Sequence, residues 1–109
     1  MKHLETLIYL NPNKIENSLF NEFLKSDFKI YSYDDIEQLS EYIIEDLNCD
    51  LILIAEEVME NSKFDDLFKG NKKLVIMSKT LHDTIVTLKM PIDGLELKDK
   101  LIEVYESLK

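Results

Sequence analysis

Two kinds of hydrophobic pattern alternate along this chain. Short, nearly continuous apolar runs predict strands, and stretches in which apolar residues recur every three or four positions predict amphipathic helices. The predicted strands cover 4–10, 28–31, 51–54 and 74–77, with a weaker fifth at 86–90. The predicted helices cover 12–25, 36–47, 58–68 and 97–108, and the phenylalanines at helical spacing, Phe23 among them, are expected in the core.

Strands that alternate with helices favour right-handed crossovers and a parallel sheet with helices on both faces. The run at 51–54 is uniformly apolar, as expected for a strand that is covered on both sides. Five strands in 109 residues fit an α/β three-layer sandwich of flavodoxin-like type, with strand order 2-1-3-4-5. We expect a single domain over residues 1–109.

Several local signals mark the predicted helix ends. Asn11-Pro12 can open the first helix, with Asn11 as the cap and Pro12 in the first position. Residues 32–35 offer caps for the second helix, and Asn61-Ser62 predicts an interruption in the third. Gly70 is well placed to end that third helix in a left-handed conformation.

The connection between the fourth and fifth strands is unusually short. Residues 79–85 are too few for a crossover with a full helix, so we expect helix 4 to be shortened or absent. A missing helix would uncover one face of these strands, and exposed apolar patches often mark interfaces. The sequence therefore predicts contact with a partner protein, or a homodimer, through the strand 4–strand 5 region. The expected interface residues are Leu74, Ile76, Ile85, Val86 and Leu88.

Composition excludes several classes of function. The net charge is −9 and all thirteen basic side chains are lysine, which argues against nucleic-acid binding. No apolar run has the length of a membrane span and no signal peptide is evident, so we expect no membrane association and a cytoplasmic location. Cys49 is the only cysteine and is expected in the core, without a disulfide or metal site. Two distant glycines cannot form a phosphate-binding loop, so no cofactor is expected.

The chain resembles the receiver domains of two-component response regulators (CheY-like proteins) over nearly its whole length. The motif CDLILIA is similar to the family's third strand, commonly PDLILLD, and VIMSK is similar to its fourth strand. The segment VTLKMPIDGLELKDKLIEVYESL resembles the fifth strand, a Lys-Pro pair and the last helix, and YSYDDIEQL resembles the end of strand two and the start of helix two.

Carried over residue by residue, the resemblance implies an atypical phosphorylation site. Asn11 and Pro12 stand where the family has two acidic metal ligands, and Ala55 stands where it has the phosphoacceptor aspartate. Ser78 matches the hydroxyl position and Lys89 the lysine, although Met90 separates that lysine from the following proline. An aspartyl-phosphate needs a carboxylate nucleophile and charge stabilisation by a metal. The resemblance therefore implies a degenerate pseudo-receiver, not an enzyme, that acts in bacterial signal transduction by phosphorylation-independent protein–protein interaction.

Three alternatives stay open at this point. Glu56 could mimic a phosphorylated aspartate, although a one-residue slip along a strand would turn its side chain to the other face; Glu56 and Glu57 could instead be acids in the first turn of a helix. A small flavodoxin-like ligand-binding protein or enzyme could use Ser78, Lys89 and Glu56 around a small anion. The chain could also be a fragment of a longer protein.

Overall fold

A computed structural model describes residues 3–82 and 84–108 of the chain. Within these residues five strands form one parallel sheet in the order β2-β1-β3-β4-β5, which confirms the predicted flavodoxin-like fold. The strands are β1 (Thr6–Leu10), β2 (Lys29–Tyr33), β3 (Leu51–Ala55), β4 (Leu74–Ser78) and β5 (Thr87–Lys89). The α-helices are α1 (Lys14–Leu24), α2 (Glu41–Leu47), α3 (Lys63–Phe68) and α4 (Gly94–Ser107).

The core lies in two layers, one on each face of the sheet. Every residue of β3 and β4 is buried because these central strands are covered on both sides. Successive side chains of a strand point to opposite faces, so Leu7 and Tyr9 pack in the layer with α1 and α4. Ile8 and Leu10 pack in the other layer, with α3 and the segment before α2. None of the helices in the described ranges has the length and apolarity needed to cross a membrane.

The start of α1 differs from the prediction by two residues. Asn13, not Asn11, is the cap, and its Oδ1 accepts hydrogen bonds from the amides of Ile15 and Glu16 at 3.1 and 3.0 Å. Asn11 cannot serve as the cap because its side chain is buried and bonded elsewhere. Pro12 therefore precedes the helix instead of opening it.

The predicted second helix is split in two. A 3₁₀ turn covers Ile36–Gln38 and is capped by Asp35, whereas α2 begins after Ser40, whose hydroxyl accepts from the amide of Ile43 at 3.2 Å. The backbone at Leu39 is extended, so the two capped segments cannot merge. Asp35 and Ser40 are both residue types that favour the cap position, and each caps its own helical segment in this structure.

The third helix is interrupted where the sequence predicted. A 3₁₀ turn covers Glu56–Glu60, the backbone is extended at Asn61, and α3 then begins at Lys63. The backbone leaves the helical region at Lys69, and Gly70 follows in the C′ position with a φ of 77°, which confirms the predicted left-handed glycine after the helix.

The β4–β5 connection contains no helix in its described residues, 79–82 and 84–86; Asp83 lies outside the described residues. The prediction of a reduced or absent helix at this point is confirmed. The helix that follows β5 is α4, which packs Leu97 and Leu101 into the core.

The predicted exposure of the strand 4–strand 5 region is wrong for three of its five residues. Leu74, Ile76 and Leu88 have only 6%, 0% and 3% of their surface exposed. Phe64 and Phe68 of α3 lie in the same core layer as Leu74 and Ile76, so the short α3 covers the face that a further helix would otherwise cover. Leu88 is buried in the opposite layer, with α4.

The other two predicted interface residues are more accessible. Ile85 is partly buried against the α3 layer and Val86 is 40% exposed. A partner contact through these two residues stays a prediction.

A different apolar surface is exposed, on α1. Helical spacing placed Phe23 in the core, but its side chain is 53% exposed. Only Phe20 and Leu24 of α1 are buried. The prediction for Phe23 was wrong because the buried stripe of α1 is narrower than its apolar stripe.

Candidate functional site

The candidate site is an open cleft of about 1350 Å³ at the carboxyl edge of the sheet. The ends of β1, β3 and β4 and the residues after β5 contribute to it, together with α1 and the first turn of α4. In parallel α/β sheets this edge is where ligands bind and chemistry takes place. The residues singled out from the sequence can therefore be placed relative to one cleft.

Asn11 is buried and fully engaged in hydrogen bonds that hold the β1–α1 loop. Its Nδ2 donates to the Tyr9 hydroxyl at 2.9 Å and to Glu16 Oε2 at 3.3 Å, and its Oδ1 accepts from the amide of Asn13 at 2.9 Å. Burial raises the pKa of Tyr9 to about 12, so the phenol is neutral at physiological pH. The Asn11 amide has a structural role in this arrangement.

Pro12 is exposed and has no side-chain oxygen. The two positions at which the resemblance expects acidic metal ligands thus carry a proline and an amide that is already bonded. No cluster of three or more His, Cys, Asp or Glu side chains suited to a metal occurs in the described part of the chain.

Ala55 ends β3 at the floor of the cleft. It lies opposite Met77 in the β3–β4 register and is 5% exposed. Its methyl group provides no nucleophile, so no covalent intermediate can form on this side chain.

Glu56 approaches β4 more closely than strand geometry predicted. Its Oε2 accepts a hydrogen bond from the hydroxyl of Ser78 and lies 2.9 Å from Nε2 of His82. Glu56 belongs to the 3₁₀ turn and not to β3, so the alternation of side chains along a strand does not apply to it. The hydrogen bond from Ser78, followed by that from His82, lowers the pKa of the Glu56 carboxyl, which is therefore ionised at neutral pH.

Ser78 is buried and its hydroxyl is saturated. Besides donating to Glu56, its Oγ accepts from the amide of Thr80 at 3.1 Å. The three side chains do not form a hydrolytic triad, because Glu56 lies between Ser78 and His82. A nucleophilic serine needs the imidazole itself as its base.

Lys89 does not join this cluster. It ends β5 opposite Ser78 in the register, yet it is exposed and does not line the cleft. Its ammonium makes no hydrogen bond or ion pair with any residue that the structure describes. The predicted anion site of Ser78, Lys89 and Glu56 is therefore not assembled.

Sequence reasoning missed the part played by His82 in this site. Its side chain is 28% exposed and pairs with Glu56, and its backbone amide donates to Thr87 Oγ1 at 3.2 Å. No local pattern could reveal this pair, because 26 residues separate the two side chains.

Comparison with solved structures shows the receiver fold. No family model matches the sequence, and none of the curated proteins does. Similar structures include the signal receiver domain of a LuxO repressor protein from Vibrio parahaemolyticus, at 15% identity and a TM-score of 0.71, covering 96% of this chain and 92% of that one.

Two further structures show the same likeness. One is the signal receiver domain of an HD domain-containing protein from Pseudomonas fluorescens, at 11% identity and a TM-score of 0.70, covering 99% of this chain and 91% of that one. The other is a receiver-modulated diguanylate cyclase from Pelobacter carbinolicus, at 14% identity and a TM-score of 0.66, covering 97% of this chain and 100% of that chain. At these identities the likeness shows a shared fold and nothing more.

Proposed function

We propose that this protein is a receiver-like signalling module that binds a protein partner in one constitutive state, without phosphoryl transfer. The observation that carries the proposal is the hydrogen bond from the Ser78 hydroxyl to the ionised Glu56 carboxylate. Ser78 matches the hydroxyl position of a receiver, and Glu56 places a permanent negative charge on it. A charge that is always present removes the need for a phosphoryl group.

The surrounding residues support the loss of phosphotransfer. Ala55 cannot accept a phosphoryl group, and neither Pro12 nor the bonded amide of Asn11 offers the carboxylates that Mg²⁺ prefers. The degenerate pseudo-receiver implied by the resemblance rests on these three positions together.

The β4–β5 connection supports a constitutive state. His82 in this connection pairs with Glu56, and Thr80 bonds the same Ser78 oxygen that donates to Glu56. One carboxylate therefore holds the end of β4 and the connection in a single arrangement.

The first experiment tests phosphorylation. The protein is incubated with acetyl phosphate and Mg²⁺ and its intact mass is measured, with a receiver domain that has the acidic pair and the aspartate as the positive control. We expect no phosphoryl adduct on this chain and an adduct on the control. An adduct that hydroxylamine removes would show an acyl phosphate and would overturn the proposal.

The second experiment tests the constitutive state. Amide hydrogen exchange is compared between the natural chain, Glu56→Ala and the matched neighbour Glu57→Ala, which removes an exposed glutamate of the same cleft. We expect faster exchange in residues 78–86 for Glu56→Ala alone. Equal exchange in all three proteins would mean that Glu56 does not hold this connection.

The alternative of a small-anion site is disfavoured. Among the described residues, four glutamates line the cleft against one lysine, Lys79, so the cleft would repel an anion. Inorganic phosphate is expected to leave the thermal midpoint unchanged, whereas a real site would raise it with concentration by mass action.

A further inference from the structure

Helix α2 is packed less tightly on the sheet than the other helices. None of its residues, all of which the structure describes, is buried, and its apolar side chains Ile43, Ile44 and Leu47 are only partly buried against the core layer they face. The helices α1, α3 and α4 each bury at least two side chains. An element with few buried apolar contacts opens locally more easily than the rest of a protein.

A pocket of about 160 Å³ lies between α2 and the sheet, near the amino ends of the strands. Ile8 of β1 and Ile52 of β3 are neighbours in the register and form its inner side together with Cys49, and all three are buried. Ile44 of α2 lines the opposite side. This α2 pocket is separate from the cleft at the carboxyl edge, since the described linings of the two have no residue in common.

The interior of the α2 pocket is apolar and uncharged. Three isoleucines provide most of it, at positions 8, 44 and 52. Burial raises the pKa of the Cys49 thiol, so this group is neutral at physiological pH. An apolar cavity of roughly 150 Å³ is known to stay free of water and to accept a single aromatic ring. The size and lining of the α2 pocket therefore fit a ligand of that kind.

The rim of the pocket is polar and its charges balance. The carboxylate of Glu45 and the ammonium of Lys73 both lie there, and Lys73 Nζ donates to Asn48 Oδ1 at 3.3 Å. Asn71 Oδ1 accepts from the amide of Lys73 at 2.9 Å, whereas Asn71 Nδ2 makes no hydrogen bond with any residue that the structure describes. The Nδ2 group is thus a free donor beside an apolar interior.

An apolar interior with one free donor at its rim fits a small neutral molecule. We propose that the α2 pocket binds a neutral ligand with a single aromatic ring and one hydroxyl group. The ring lies between Ile44 and Ile52, and the hydroxyl oxygen accepts from Asn71 Nδ2. A charged ring compound fits poorly, because isoleucine side chains cannot compensate a charge that is taken out of water.

This inference goes beyond the proposed function and does not rest on it. The α2 pocket uses neither the Glu56–Ser78–His82 cluster nor the β4–β5 connection. Its expected effect is on α2, because a ring that contacts both Ile44 and the sheet holds this helix in place. The protein would then have a ligand-responsive element on the side of the sheet that faces away from α1.

Cys49 gives a site-specific test, because it is the only cysteine of the chain and lines the pocket. The folded protein is alkylated with iodoacetamide at increasing concentrations of phenol, and the rate is followed by intact mass. We expect the rate to fall about tenfold when phenol reaches about ten times its Kd, since an occupied pocket excludes the reagent. myo-Inositol, a saturated ring covered with hydroxyl groups, is the polar control and should leave the rate unchanged.

Two matched substitutions on α2 locate the site. Ile44→Phe places a ring in the pocket and should abolish the protection of Cys49 by phenol. Ile43→Phe makes the same change at the preceding residue, which is partly buried but outside the described lining, and should retain the protection. The thermal midpoint of each variant shows that it is folded.

Asn71→Asp tests the hydrogen bond at the rim. Aspartate keeps the oxygen that accepts from the Lys73 amide and removes the free Nδ2 donor. We expect phenol to bind the variant about fivefold more weakly, as for the loss of one neutral hydrogen bond. Toluene lacks the hydroxyl group and should bind the variant and the natural chain equally.

Amide exchange measures the effect on the helix without any substitution. The amide of Ile44 donates to the Ser40 carbonyl at 3.1 Å, and that of Asn48 donates to the Ile44 carbonyl at 3.3 Å. Phenol should slow exchange at these two amides more than in α3. Unchanged exchange at a phenol concentration that protects Cys49 would contradict the stabilisation of α2.

The remaining outcomes are equally decisive. Absence of protection by phenol in the natural chain, or equal protection in Ile44→Phe and Ile43→Phe, would overturn the pocket as a binding site. Equal weakening of phenol and toluene by Asn71→Asp would overturn the role of the Asn71 donor. None of these results bears on phosphotransfer, which the mass measurement with acetyl phosphate decides separately.

Discussion

The imidazole of His82 lies 2.9 Å from the carboxylate of Glu56, across 26 residues of sequence. The contact joins the connection after β4 to the turn after β3, and the hydroxyl of Ser78 donates to the same carboxylate oxygen. A single ionised side chain thus organises an edge of the sheet at which receivers are expected to carry a phosphoryl group.

The stability provided by Glu56 is expected to depend on pH. Its pKa is lowered in the folded protein from the ordinary value of 4.5, so its stabilising effect is fully present above 4.5 and is lost as the pH falls through the lower folded value. The urea midpoint of the natural chain should exceed that of Glu56→Ala at neutral pH, and the difference should shrink in acid. Glu57→Ala serves as the control; a difference of the same size at all pH values would contradict the prediction.

Adjacent positions on α1 should respond very differently to truncation. Phe20 is 5% exposed and stacks on Tyr9 with ring centroids 3.7 Å apart, so Phe20→Ala should lower the free energy of unfolding by about 3–5 kcal/mol. Leu19 is half exposed, and Leu19→Ala should change stability by less than about 1 kcal/mol. Chemical denaturation measures both. A large loss for Leu19→Ala would mean that this residue is packed as part of the core and is not half exposed.

The close contact with the Phe23 ring, and not a special backbone conformation, is expected to favour glycine at position 94. Gly94→Ala should destabilise the protein by up to about 1 kcal/mol, because the new Cβ would push aside the far end of the half-exposed ring. In a Phe23→Ala background the same substitution should be neutral, since the opposing ring is gone. A double-mutant cycle measures the coupling, and additive effects of the two substitutions would contradict the contact.

Asp50 is expected to stabilise the start of the sheet. Its Oδ2 accepts hydrogen bonds from the amides of Glu5 and Thr6, at 3.0 and 3.1 Å, and from the Thr6 hydroxyl at 3.2 Å. Asp50→Ala should cost about 1–3 kcal/mol because these donors lose their acceptor next to a buried strand. Asp50→Asn keeps an oxygen acceptor and should cost less. The urea midpoints of the two variants provide the comparison, and an equal loss would argue against hydrogen bonding as the cause.

Much of the fold could be predicted from local sequence. The uniformly apolar runs at β3 and β4 identify buried central strands, and the alternation of strands with helices limits the topology to a parallel sheet. Gly70 and the interruption near Asn61 were also predictable, because glycine and asparagine act on the backbone of their own segment.

The candidate site was only half predictable. The position of Ala55 at the end of β3 follows from counting along one strand. The bond between Glu56 and Ser78 does not, since it depends on a 3₁₀ turn that carries Glu56 out of the strand geometry. The prediction that Lys89 would join the site failed for the same kind of reason, because position in a register does not determine where a long, flexible side chain ends.

The sequence by itself thus determined the central strands and the absence of a carboxylate at Pro12 and Ala55, because each depends on residue type and on spacing within short segments. Only the tertiary structure decided which apolar faces are covered. Periodicity shows that a helix has an apolar stripe, but the neighbouring elements determine how much of that stripe is buried. For this reason Leu74 is hidden beneath α3, while Phe23, which follows an equally good helical pattern, remains half exposed against Gly94.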